Sequence, residues 1–121
     1  MNDFDQLRQL VTDYFDCLYD GDLAKLEAIF HDHARLHVMV DGGLVEMDMP
    51  KYKAIFENRP SPRSLGAERD DNVVAVIQSS PTTALLIVKL LLAGKSYVDH
   101  LALIKDNGRW QVISKTYHLN G

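Results

Sequence analysis

The hydrophobic period of this chain changes once, near Ala34, and that change limits the folds open to it. Before it, Phe4, Leu7, Leu10, Val11, Tyr14 and Leu18 recur at helical spacing and make one apolar stripe. Asn2 or Asp3 supplies a side-chain oxygen to cap that helix, and Gly21 can end it in a left-handed conformation. Asp22 then caps a short second helix carrying Leu23, Leu26, Ile29 and Phe30. After the change, Ala34, Leu36, Val38 and Val40 alternate with Arg35, His37 and Met39, as in a strand.

Asp41-Gly42-Gly43 turns the chain into a second short strand, Leu44 to Met47. Pro50 suits the first turn of a third helix, with Tyr52, Ile55 and Phe56 on its apolar side. Arg59-Pro60-Ser61-Pro62 cannot continue it and reads as a loop. Strands then follow at Val73 to Ser79, Thr83 to Ala93, Ser96 to Lys105 and Arg109 to His118. Asn107-Gly108 marks a tight hairpin between the last two. Helices first and antiparallel strands second give an α+β fold with helices on one face of a sheet.

With 121 residues and no internal repeat, the chain reads as a single domain over 1–121. Its net charge of -4 and scattered basic residues argue against a nucleic-acid partner. No apolar run is long enough for a bilayer, and the start has no signal-peptide layout. Cytoplasm is the expected compartment, and no cofactor is expected. Cys17 is the single cysteine, and it reads as a small buried hydrophobe.

Ala84 to Leu92 is apolar on both faces of its strand except at Lys89. The helices cover one face, and a second copy of the chain is the simplest cover for the other. The expectation is a homodimer through the sheet.

Several segments carry a family resemblance. Tyr14, Gly21-Asp22 and Phe30-His31-Asp32-His33-Ala34 resemble the start of the nuclear-transport-factor-2-like superfamily. Tyr97 to Lys105, Gly108 to Ile113 and Lys115-Thr116-Tyr117-His118 are similar to its lumazine-binding branch. The resemblance implies three helices in the mouth of a strongly curved sheet: a cone with a central pocket, often dimeric. It also spans isomerases, cyclases, dehydratases and binding proteins, so it does not fix function.

Candidate site residues follow. Strand alternation groups Asp99 with Tyr97, Leu101 and Leu103, and groups Lys115 with Gln111, Ile113 and Tyr117. By resemblance these faces line the cone. Asp99 and Lys115 can meet across the hairpin, either to orient a ligand or to fix strand register as a buried ion pair. Tyr14 is either a core tyrosine or an oxyanion donor, as in the ketosteroid isomerases the chain resembles. The general-base position of those enzymes is Val38 here, which cannot move a proton. The resemblance places His31 near the pocket mouth, where it can act as acid or base. His31, His33 and His37 lie close in sequence, but His33 and His37 straddle a loop-to-strand junction, so no metal site is expected. Trp110 reads as core or interface. The leading expectation is therefore a small-molecule ligand held by Tyr14, His31, Tyr97, Asp99, Lys115 and Tyr117. The alternatives are an enzyme of cyclase, isomerase or dehydratase type acting on a carbonyl substrate, and a dimeric interaction module with a vestigial pocket.

Overall fold

The structure is a computed structural model that describes residues 2–120. Helix α1 runs Asp3–Asp20, with the Asn2 side chain accepting from the Asp5 N–H. Its buried stripe is Leu7, Leu10, Val11, Tyr14, Phe15, Cys17 and Leu18. Phe4, on the stripe by spacing, is 58% exposed because it lies beyond the covered turn. Gly21 ends the helix at φ 68, and a Cβ there would stand 2.9 Å from Ser61 Cβ. Conformation and space both require glycine at this point.

Helix α2 runs Leu23–Ile29, capped by the Asp22 side chain on the Lys25 N–H. Phe30 departs from the sequence reading. Its N–H still bonds to Leu26, but its backbone is extended and it opens β1, Phe30–Val40. Phe30 pairs with Val112 in the last strand, and that tertiary pairing overrides its helical spacing. Strand β2 is Gly43–Asp48 and α3 is Met49–Asn58, with Pro50 in its first turn. A short 3-10 turn at Arg63–Leu65 leads to β3, Asp71–Gln78. Then come β4, Thr83–Leu92; β5, Lys95–Asp106; and β6, Arg109–Asn120.

The sheet order is β2-β1-β6-β5-β4-β3. β1 and β6 are parallel, and every other neighbouring pair is antiparallel. The sheet is curved and does not close on itself. Three hairpins share one turn chemistry: Asp41-Gly42, Ala93-Gly94 and Asn107-Gly108 all have positive φ at both positions. That geometry matches the right-handed twist of the strands it joins.

Register irregularities interrupt β1, β3 and β6. The one in β6 matters most. Ala102 pairs with Ser114 but Leu103 pairs with Val112, so Ile113 is an extra residue in β6. A bulge bends the strand and resets which side chains point inward. Trp110 and Val112 are buried before it, Lys115 after it, while Gln111 and Ile113 are only half-buried. The expected grouping of Lys115 with Gln111 and Ile113 is thus corrected, because alternation does not survive the bulge.

The core lies between the helices and the concave face. Leu36, Leu86, Val88, Leu101 and Val112 of the sheet are fully buried with Leu7, Tyr14 and Leu26 of the helices. On the convex face, Leu85, Ile87 and Leu91 are half-buried, and Ile77 beside Leu85 is 50% exposed.

Candidate functional site

β5 and β6 form one long ribbon, and its two ends face different surroundings. At the hairpin end, Leu103, Trp110 and Val112 enter the core. Asp3 closes that end by accepting from Lys105 Nζ at 2.9 Å, from Trp110 Nε1 at 3.0 Å and from Gln78. Those bonds, Lys105 first, then Trp110 and Gln78, pull the Asp3 carboxyl down to about 2.

At the other end the inward residues are Tyr97, Asp99, Lys115 and Tyr117. They line a cavity of about 80 Å³ together with Leu18, Tyr52, Arg59, Leu90 and Leu92. Asp99 is 2% exposed and Lys115 is 6% exposed, the buried charges of the described core. Asp99 Oδ2 accepts from the Tyr14 hydroxyl at 2.5 Å and lies 3.7 Å from Lys115 Nζ. The Lys115 ammonium donates to the Tyr52 hydroxyl at 3.5 Å. It also sits 5.0 Å from the Tyr117 ring centre and 5.4 Å from those of Tyr14 and Tyr52. Burial by itself would depress its pKa, but Asp99, then Tyr52 and Tyr117, raise it overall. Lys115 therefore keeps its charge at neutral pH. Tyr14 is pushed well above its ordinary value, by burial first and then by the adjacent Asp99 charge, so its proton stays on oxygen. Tyr117 is also raised, chiefly by burial and against the pull of Lys115.

The structure brings together four of the six expected residues at the cavity wall: Tyr97, Asp99, Lys115 and Tyr117. Tyr14 stands behind that wall and reaches the site through Asp99. His31 does not join them. Its Nε2 is 2.9 Å from Asp106 Oδ2 at the hairpin end, and its Nδ1 accepts from the His33 N–H. His37 points to Glu46 across β1 and β2. Among the described residues no group of three or more His, Cys, Asp or Glu is placed to hold a metal ion. Burial, then Asp22, pushes the Cys17 thiol up to about 12, so no useful thiolate exists near neutral pH.

Two lining residues escaped the sequence reading. Tyr52 appears there only as part of an apolar helix side, and Arg59 only as part of a helix-breaking loop. Arg59 is the residue at which α3 ends, its N–H bonded to Ile55 O at 3.2 Å. Its guanidinium carbon lies 5.1 Å from the Phe56 ring centre. The three-residue spacing of Phe56 and Arg59 allows their ring contact but does not say which cavity the guanidinium enters.

Residues 2–118 match the family model described as "Putative lumazine-binding". The chain belongs to that family. Its fold is the nuclear-transport-factor-2-like one, shared with solved structures. It is similar to a protein of unknown function from Silicibacter pomeroyi at 24% identity and TM-score 0.84, over 97% of this chain and 95% of that one. One from Shewanella baltica gives 20% identity and TM-score 0.84, over 98% and 94%. A ketosteroid isomerase-like protein from Erwinia carotovora atroseptica gives 12% identity and TM-score 0.72, over 100% and 99%. In sequence the chain is also 24% identical over 107 residues to the aldolase FrzH of a Cladobotryum species, covering 87% of this chain and 82% of that protein.

Val38 of β1 pairs with Tyr117 of β6, so the position that the sequence resemblance matches to an isomerase base holds an aliphatic chain. What remains can orient and polarise: a buried ammonium, a carboxylate bonded to a tyrosine, and the phenolic edges of Tyr52, Tyr97 and Tyr117.

Proposed function

We propose that this protein binds a small, flat molecule by its polar edge at the Asp99–Lys115 end of the cone. The observation that carries the reading is a buried ammonium whose donors are not used up, facing a void. An ammonium has three N–H donors, and its one hydrogen bond among the described residues, to Tyr52, is long at 3.5 Å. Charges are buried at a cost, and groups held so are common where a ligand supplies the missing contact. The cavity of about 80 Å³ admits an edge rather than a whole drug-sized ligand. The rings of Tyr97 and Tyr117, 6.3 Å apart and half-buried, offer apolar surface for the rest.

Lumazine and other fused bicyclic heteroaromatics are the natural probes, measured by thermal shift and calorimetry. Binding to the parent protein that weakens about tenfold or more in Lys115→Met supports the reading. Equal affinity in the parent and in Lys115→Met would place any ligand elsewhere.

A second reading has its own support. The 2.5 Å Tyr14–Asp99 hydrogen bond and the likeness to an aldolase suit chemistry on a carbonyl substrate, in which the charged Lys115 stabilises developing enolate charge and Tyr14 acts through Asp99, whose carboxylate it holds in place. Turnover of a simple aldol substrate that disappears in both Lys115→Met and Tyr14→Phe would favour it.

We further propose a homodimer through the convex face of the sheet, supported by the half-buried Leu85, Ile87 and Leu91 next to the exposed Ile77. Sedimentation of Ile87→Lys as a monomer beside a dimeric parent is the outcome that bears this out. No helix among the described residues is long and apolar enough to cross a membrane. With its single buried thiol, the protein fits a reducing compartment, and we assign it to the cytoplasm.

A further inference from the structure

We propose that the ligand of this pocket is a planar organic monoanion, a carboxylate or its equivalent, gripped between the guanidinium of Arg59 and the ammonium of Lys115. The inference rests on the pocket reading above and narrows its ligand class.

Arg59 Nη2 is a buried nitrogen with no hydrogen-bond partner among the described residues. Four of the other five arginines contrast with it, and the fifth, Arg8, is exposed to solvent over the Phe4 ring. Arg35, Arg63 and Arg69 face Asp48, Asp20, and Asp16 with Asp71. Arg109 donates to the Ala28 carbonyl. Arg59 instead lies against the Phe56 ring and lines the same cavity as Lys115 and Asp99.

Its placement is fixed from behind. Arg59 caps α3, with its backbone N–H tied to Ile55, and its guanidinium carbon lies over the Phe56 ring. A guanidinium held this way is pre-organised, and its planar fork matches the two oxygens of a carboxylate.

Charge bookkeeping agrees. Arg59 and Lys115 line the cavity with two positive charges, and Asp99 supplies one negative charge. The lining carries one surplus positive charge, which a monoanion cancels and a phosphate dianion would overshoot. The two cations also act on each other: Arg59 opposes the protonation of Lys115. An anion between them removes that repulsion. Planarity follows from the tyrosine rings of Tyr52, Tyr97 and Tyr117 around the same space.

The test compares benzoate with benzamide, which share a shape but differ in charge. Calorimetric titration is run on the parent protein, on Arg59→Gln and on Arg59→Lys, each checked for folding by near-ultraviolet circular dichroism. The inference expects benzoate to bind the parent about tenfold or more tighter than benzamide. It expects Arg59→Gln to lose most of that preference. Arg59→Lys, which keeps charge but not the fork, should recover it only in part. Benzoate and benzamide binding alike to the parent would overturn the anion inference while leaving the pocket reading intact. A preference for benzoate that survives in folded Arg59→Gln would overturn the role of Arg59. Failure of both probes at millimolar concentration would overturn the anion inference, while the pocket reading stands or falls on lumazine binding.

Discussion

The two halves of the β5–β6 ribbon are built alike and behave differently. From Leu103 and Val112 to the hairpin, the inward side chains are apolar and the end is shut by Asp3. From Leu101 and Lys115 outward, the inward side chains are polar and the end is hollow. The bulge at Ile113 is the border. Backbone pairing is continuous on both sides of it, so the strands do not distinguish the halves. The difference lies in what the side chains do. One half contributes stability through burial; the other gives some up to hold charges ready.

The comparison is sharpest at the ion pair. Asp99→Ala leaves Lys115 buried and uncompensated and should cost about 3–5 kcal/mol in urea melts. Replacing both together, Asp99→Leu with Lys115→Met, should cost less than Asp99→Ala, about 1–3 kcal/mol for the Tyr14 hydroxyl left without its acceptor, while abolishing ligand binding. If the double variant is as unstable as Asp99→Ala, the pair is structural and the two halves serve one purpose. In the apolar half no such rescue exists. Leu103→Ala should cost about 2–5 kcal/mol from lost burial and a cavity.

Tyr14→Phe comes next. It removes a hydrogen bond to a charged acceptor in a buried setting, for an expected loss of about 1.5–3 kcal/mol by the same melts.

The shut end has its own pH signature. Asp3 is lowered from an ordinary 3.8 to about 2, so it binds its proton less readily when folded. Its contribution is then complete above about pH 4 and is lost as pH falls through about 2. Plotted between those limits, the melting temperature of the parent should fall more steeply than that of Asp3→Asn. Parallel slopes would mean the clasp adds nothing.

The smallest effect compares the turns at the two ends of β5. Asn107 and Ala93 occupy the same left-handed position, at φ 51 in each. Asparagine tolerates it and alanine does not. Ala93→Asn should therefore raise stability by about 0.5–1 kcal/mol. No gain would show that the turn relaxes at little cost.

Much of the fold was legible because local signals agreed with the tertiary outcome. Asp22 and Asn2 capped where expected, and Asn107-Gly108 turned where expected. Phe30 was misread because its spacing fits the helix while its partner, Val112, lies far along the chain. The site was legible only as far as Ile113. Alternation placed Tyr97 and Asp99 correctly on β5, yet it tied Lys115 to Gln111 and Ile113 because a bulge has no period. The break was visible in hindsight: Trp110 and Val112 share one parity, and Lys115 and Tyr117 have the other. Arg59 was beyond reach, since which cavity an arginine enters depends on how the end of α3 meets β5 and β6.

The strand order has one further consequence. β6 lies between β1 and β5, although it comes last in sequence among the strands. Without Arg109–Asn120, residues 30–48 and 71–106 are two separate hydrogen-bonded ribbons with open margins. The same segment delivers Lys115 and Tyr117. Joining of the two ribbons and completion of the binding surface are thus a single event. Any compound that fits therefore recognises the finished molecule alone, and its full affinity registers as resistance to unfolding.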